Sequence, residues 1–370
     1  MKLFLLIFLL LSVLDAKYYP NKSCEECHGD IYHEYQSSAH SKSYFNDILH
    51  KSVADAVSKK KYDCAVCHMP TANNLKDLID GKARPDSKNI THTDAVSCYF
   101  CHTIAYVKKA HRYNLNIKAK QVEGIKPSYY GSLEDAGDNN KHESLKNPIY
   151  NKNICLGCHS HKLNENNVTI FRAMKEDQTS EECIKCHMPK VSGGVEDMDT
   201  KNRGHHISHR FLGIRDKEFR KKGVDINVSV KSGKLFITLK NEMAHPLIIQ
   251  SAREKYLKIV IYHDKKIVWQ NYKNKPSEDK QGDFCATFTK DGKKIIVPAT
   301  ADKGSFHNLD AKELKVLTYK IPKLNTGDEI EVAMYVKLAK DDCASILEQK
   351  DNSLTKPMLI KKTRFIYKSD

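Results

Sequence analysis

No apolar run in this 370-residue chain is long enough to cross a bilayer. The longest, Leu3–Leu14, falls short of the roughly 20 residues that a spanning helix needs. It follows Met1-Lys2 and ends at Asp15-Ala16 before Lys17, the layout of a charged n-region, an apolar h-region and a small residue at a cleavage point. Residues 1–16 are therefore expected to be a signal peptide, with a mature, periplasmic chain starting near Lys17. The alternative is a membrane anchor left uncleaved, because Leu14 is a poor residue three before the cut. The absence of cysteine at the cut argues against a lipoprotein. A dense arginine run is missing as well. Basic residues outnumber acidic ones 61 to 46, for a formal charge of +15, but the lysines are scattered, which argues against nucleic-acid binding. Sequence repeats of equal length are also lacking, so a solenoid is excluded.

What the chain does have is one short device used five times: Cys24-Glu-Glu-Cys27-His28, Cys64-Ala-Val-Cys67-His68, Cys98-Tyr-Phe-Cys101-His102, Cys155-Leu-Gly-Cys158-His159 and Cys183-Ile-Lys-Cys186-His187. C-x-x-C-H is the attachment signature of a c-type haem. Two cysteines three apart can form thioethers with the two vinyl groups on one porphyrin edge, and the histidine that follows lies under the ring, where it can coordinate iron. A zinc site, a redox dithiol or a disulfide framework would not need a histidine after the second cysteine every time. The reading is five covalent haem c groups. Ten of the twelve cysteines are used in this way, leaving Cys285 and Cys343. Either a disulfide or two separate thiols fits this pair, since sequence does not give their separation.

The length suggests two domains. Residues 17–220 hold the motifs at uneven spacing, with short helical patches (31–38, 46–59) between polar loops (73–88, 131–147). Such a region buries little without its cofactors, so the porphyrin faces are expected to be its core, and it should not fold without them. From about Lys221 alternating apolar runs take over: 224–230, 235–239, 256–262, 267–269, 294–297, 316–321, 329–338 and 358–367. Their period-two pattern reads as strands, with hairpin turns at 231–234 and 263–266 and one short helix at 343–349. The expected fold is α+β and multidomain: an irregular, mainly helical pentahaem domain, then residues 221–370 as an all-β, immunoglobulin-like sandwich.

Cys24-Glu-Glu-Cys27-His28 with Tyr35, Ser38 and His40 resembles the first-haem pattern of the cytochrome c-554 family, which usually has tryptophan where Tyr35 stands. The Cys-His-Met-Pro stretches at 67–70 and 186–189, Tyr130-Gly131 and His209-Arg210-Phe211-Leu212-Gly213 are similar to multihaem relatives. Asn241, His245-Pro246, Arg253 and Leu257 resemble a β-domain that such cytochromes sometimes carry, without the glycine usual before that histidine. The haem-region resemblance covers a little over half of the chain.

The motifs name five proximal ligands: His28, His68, His102, His159 and His187. For the opposite faces, His40 has the Ser-x-His context, and His92 lies six residues before Cys98, where relatives often place a distal ligand. His142 falls in the loop before the fourth motif. His205, His206 and His209 form a cluster expected to supply at least one ligand. His161 could reach only a neighbouring haem. His33, His50 and His111 have weaker claims, His245 is a candidate to face the haem region, and His263 and His307 read as surface residues. Met69 and Met188 are expected to pack on porphyrin, and Met174 and Met198 carry no pattern.

The expected function is electron transport between a quinol-side donor and a terminal reductase or another cytochrome; the basic surface either steers acidic redox partners or is simply lysine-rich, and a third reading is a structural or docking role for the β-domain in association with a membrane respiratory complex. The alternative is a reductase of a small nitrogen or sulfur oxyanion at an iron with one open face. Cytochrome c nitrite reductase also has five haems, but it marks its catalytic haem by C-x-x-C-K, and this chain has no such motif.

Overall fold

A computed structural model describes residues 18–122, 125–137, 139–174, 181–193, 203–347 and 353–368. Residues 1–16 and Met198 lie outside them. No helix among the described residues is long and apolar enough to cross a membrane.

The chain is a mixed α+β protein. Its first half is built from short pieces. The longest helix among the described residues, Ile48–Val57, is started by Asp47, whose carboxylate accepts from the His50 backbone N–H at 3.1 Å, an ordinary N-cap. Four two-stranded sheets punctuate the region among the described residues. Three are antiparallel (104–108 with 115–118, 161–163 with 169–172, 190–192 with 205–207) and one, 128–131 with 143–146, is parallel. The buried apolar clusters here are small: Tyr44, Tyr62, Met69 and Leu78 with three alanines, and Leu156 with Ala173 and Met174. So little mutual burial leaves the elements arranged around an interior space.

After the helix Lys217–Lys221 the chain becomes strands. Leu314–Lys320, Lys234–Asn241 and Val224–Lys231 form one antiparallel sheet. A larger one runs Lys293–Ile295, Asp283–Lys290, Glu254–His263, Glu329–Lys337 and Met358–Ile366, with Lys266–Gln270 and Lys303–His307 attached to it. The two sheets share a single core. Leu235, Ile237, Leu239 and Leu317 come from the first sheet, and Ile259, Ile261, Phe284, Val332 and Met334 from the second, all buried. The expected hairpins are tight: Ser232 and Gly233 both have positive φ, as do Asp264 and Lys265, the signature of a two-residue type I′ turn. The eight expected runs correspond to strands, and Asp283–Lys290 and Lys303–His307 are additional. The short helix near the C-terminus is a 3₁₀ stretch, Asp341–Ile346. Cys285 and Cys343 are both free thiols.

The halves are tied together by side chains. Buried Asn164 donates to the carbonyls of Pro298 (2.9 Å) and Ala301 (2.8 Å), and Arg220 donates through Nε to the Leu359 carbonyl at 2.7 Å. Between the halves lies a cavity of about 1870 Å³.

Candidate functional site

Each motif sits on about one turn of helix. The His28, His68 and His159 backbone N–H groups donate to the carbonyls of Cys24, Cys64 and Cys155 at 2.9, 3.1 and 2.8 Å. That turn puts the two cysteines on one face, three residues apart, with the histidine beside them. All ten motif cysteines and all five motif histidines line the cavity.

The motifs are held in register by side chains from elsewhere. Asn21 joins the first to the third: its Oδ1 accepts from the Cys98 N–H at 2.8 Å, and its Nδ2 donates to the Tyr35 hydroxyl at 3.0 Å and the Asp94 carbonyl at 3.0 Å. The Tyr35 hydroxyl then donates to the same carbonyl at 2.9 Å. The thiols of Cys24 and Cys98 consequently lie against each other, and those of Cys67 and Cys158 do the same. The Asn116 amide donates to the Cys158 sulfur at 3.2 Å. Cys101 lies near enough to act on Cys158, and His187 near enough to act on His159. The five attachment points form one connected group.

Eighteen histidines occur in the chain; ten line the cavity, namely the five of the motifs and His40, His50, His142, His209 and His245. Four of these five face a motif histidine across a gap. Ring centroids are 6.3 Å apart for His28 and His142, 6.3 Å for His102 and His209, 5.9 Å for His159 and His40, and 6.5 Å for His187 and His245. Metal–imidazole bonds of about 2 Å on two opposite faces place ring centroids roughly 6.2 Å apart. The second motif differs: His50 is stacked on His68 at 3.6 Å, nearly parallel, and shares a hydrogen bond with the Tyr62 hydroxyl at 2.8 Å. That separation leaves no space for iron between the two rings.

The outer nitrogens are oriented by the backbone. Nδ1 of His102 donates to the Tyr130 carbonyl at 2.7 Å, that of His209 to Ile207 at 2.8 Å, and that of His187 to Leu212. Such bonds fix the tautomer and turn Nε2 inward as an acceptor. His40 is held another way: its backbone N–H donates to the Ser38 hydroxyl at 3.2 Å, and its ring meets Phe211 edge-on at 4.3 Å. Its Nδ1 is buried with no hydrogen-bond partner. An orphaned nitrogen is costly unless something binds it. Burial holds His40 down at about 3 and His50 and His209 at about 4, and lowers His68, His102 and His159 as well. All are thus neutral imidazoles, the ligating form. The orphan, the spacing and the paired cysteines fit haem c.

His92 and His206 stand elsewhere than expected. His92 is buried outside the cavity; its Nδ1 accepts from the Asp86 N–H at 3.0 Å and its Nε2 donates to Asn74 Oδ1 at 2.7 Å, leaving no lone pair for iron. His206 donates through Nδ1 to the Gly193 carbonyl at 2.8 Å and turns Nε2 toward Glu34 at 3.5 Å. His161 is bonded to Ser160 and to the His111 carbonyl. Met69 is fully buried in an apolar cluster, and Met174 lies 3.9 Å from the Cys183 sulfur. His50, a weaker candidate in sequence, and His245, expected to face the haem region, both line the cavity.

Residues 23–103, spanning the first three motifs, match the family model described as cytochrome c554 and c-prime. The fold is that of a penta-heme cytochrome c552 from Thermochromatium tepidum, with a TM-score of 0.73 and 21% identity over 94% of this chain and 99% of that one. The chain is a multihaem c-type cytochrome. A second structure, the E. coli curli protein CsgC, overlays at a TM-score of only 0.15 with 9% identity over 30% of this chain and 82% of that one, too low to carry an argument. No curated protein matches the chain.

Proposed function

We propose that this cytochrome is a periplasmic electron carrier of a respiratory chain, holding five haems c and exchanging electrons with partner proteins: a quinol-side donor on one side, a terminal reductase or another cytochrome on the other. The observation that carries the reading is the recurrent pairing of imidazole rings at 5.9–6.5 Å around connected attachment points. Haem supplies reversible one-electron chemistry at iron, and axial ligand identity tunes its potential. The chain's part would be to hold the group between paired imidazoles, so that nothing but electrons is exchanged there, and to keep the attachment points adjoining. His142, His209 and His40 would hold it together with His28, His102 and His159. The basic surface, at +15, suits acidic partners. As part of this reading the β-domain is immunoglobulin-like in the broad sense of an antiparallel two-sheet sandwich, starting near residue 221.

The His50–His68 stacking favours a second reading at one place. With His50 on His68 and held by Tyr62, the other axial face at the second motif has no imidazole assigned to it. There a small nitrogen or sulfur oxyanion could be reduced. Intact mass should give five covalent haems. As a carrier, the reduced protein should be reoxidised by an electron-accepting cytochrome and leave nitrite and sulfite unconsumed. Steady turnover of one of these, inhibited by carbon monoxide, would overturn the carrier reading in favour of the second.

A further inference from the structure

His245 belongs to the strand-rich half, on the segment joining Lys234–Asn241 to Glu254–His263, yet its ring faces the fifth motif. The rings of His245 and His187 are 6.5 Å apart and within 19° of parallel. Nδ1 of His245 donates to the Pro246 carbonyl at 2.9 Å, as Nδ1 of His187 does to Leu212. The second nitrogen of each ring is thereby the acceptor. The segment carrying His245 is tightly held. Asn241 is fully buried and its amide donates to three carbonyls: His245 at 2.9 Å, Leu309 at 3.2 Å and Asp310 at 2.8 Å. Its Oδ1 accepts from the Met243 N–H at 3.0 Å. A buried carboxamide with both ends engaged is a costly device for a loop with only a surface role.

A second feature points the same way. Two cations from the same segment and strand, Arg253 and Lys255, line the cavity near His245. Lys255 is buried and donates to the Leu247 carbonyl at 2.6 Å, and neither cation has an ion pair with a carboxylate among the described residues. Unpaired cations in a cavity wall call for anions from whatever fills it, and each haem brings two carboxylates.

We propose that the β-domain completes the fifth haem site: His245 is the axial ligand opposite His187, positioned by Asn241, with Arg253 and Lys255 facing the carboxylates of the bound cofactor. The β-domain is then half of a redox centre, and its docking sets the coordination of that centre. This rests on the multihaem reading, which the haem count of the wild-type protein tests separately.

The test uses the full-length, haem-loaded protein. His245→Ala should gain one high-spin ferric haem per chain by electron paramagnetic resonance, with haem content unchanged, and added imidazole should return it to low spin. His245→Met keeps an axial donor, so it should stay low-spin while one of the haem potentials rises. Asn241→Ala should give a mixed-spin fifth haem. A folded His245→Ala protein with the wild-type spin count, in wild type of proven haem content, would overturn the proposal. If the alanine variant does not accumulate, the methionine variant decides: a wild-type set of potentials overturns the inference, and one shifted couple supports it.

Discussion

His40 and His92 look alike in sequence as candidate ligands, and their surroundings separate them. His40 has a buried nitrogen with no partner, opposite His159. His92 has an N–H donated into one nitrogen and a carboxamide oxygen on the other. As the proposed ligand opposite His159, His40 would take an axial donor with it when removed, whereas removing His92 deletes two hydrogen bonds. We expect His40→Ala to add one high-spin, carbon-monoxide-binding haem at unchanged haem content, because the thioethers still hold the group. His92→Ala should leave the spin count at the wild-type value and lower stability by about 1 kcal/mol, the cost of losing two part-buried hydrogen bonds, from the Asp86 N–H and to the Asn74 carboxamide. Comparing the two by paramagnetic resonance and denaturant titration checks both; a high-spin signal from His92→Ala would contradict the hydrogen-bonded role. Tyr35 fits the same logic. Its hydroxyl reaches both Asn21 and the Asp94 carbonyl, a double role that needs an oxygen at the ring tip and accounts for tyrosine at this position.

At the level of single elements, the motif helices impose their own sequence demands. Gly157 lies inside the fourth motif, and a Cβ there would fall 1.8 Å from the Asn116 side chain, the group that donates to Cys158. Gly157→Ala should push Asn116 away and cost about 1–3 kcal/mol by overpacking, and Gly157→Ala with Asn116→Gly should recover most of it. Equal thermal midpoints for wild type and the single variant would show that Asn116 swings aside freely. The same locality explains what could be read without a structure. Thioether chemistry requires Cys, Cys and His within five consecutive residues, so attachment points and proximal histidines were legible. The rings that face the motif histidines come from other elements: His142 from a loop, His209 after a strand, His245 from the far half. His92 matches the place upstream of a motif where relatives often put a distal ligand, but its lone pair is taken. His50 has only a weak claim in sequence because its setting, stacked on His68 and bonded to Tyr62, exists only in three dimensions. Strands with clean alternation were also legible. Asp283–Lys290 was hidden because its inward set, Phe284, Ala286 and Phe288, is broken by a small residue. Lys303–His307 was hidden because close approach of Phe288 and Val168 demands glycine at 304.

Across the whole molecule the two halves have different sources of stability. The sandwich core, from Val224 to Ile360, is contiguous and contributed by both of its sheets. Apolar burial of that kind is the usual driving force of an independent domain. The first half has scattered small clusters around a cavity whose walls carry the cysteines and imidazoles, so its folding free energy must come largely from the group bound there. A fragment of residues 222–370 should therefore fold to β-structure with a cooperative thermal transition and no cofactor. Residues 17–220 made without haem attachment should stay unfolded. The joined protein should then behave as a coupled pair. If denaturant unfolds the sandwich first, His245 leaves while the thioethers keep the fifth haem attached. One haem should turn high-spin in step with loss of the β-sheet signal, ahead of the collapse of the remaining four. A fragment without cooperative structure would show that the sandwich needs the contacts made by Asn164 and Arg220. Simultaneous loss of all low-spin signals with the sheet would make the molecule a single folding unit, in which the bound groups serve as the core of both halves.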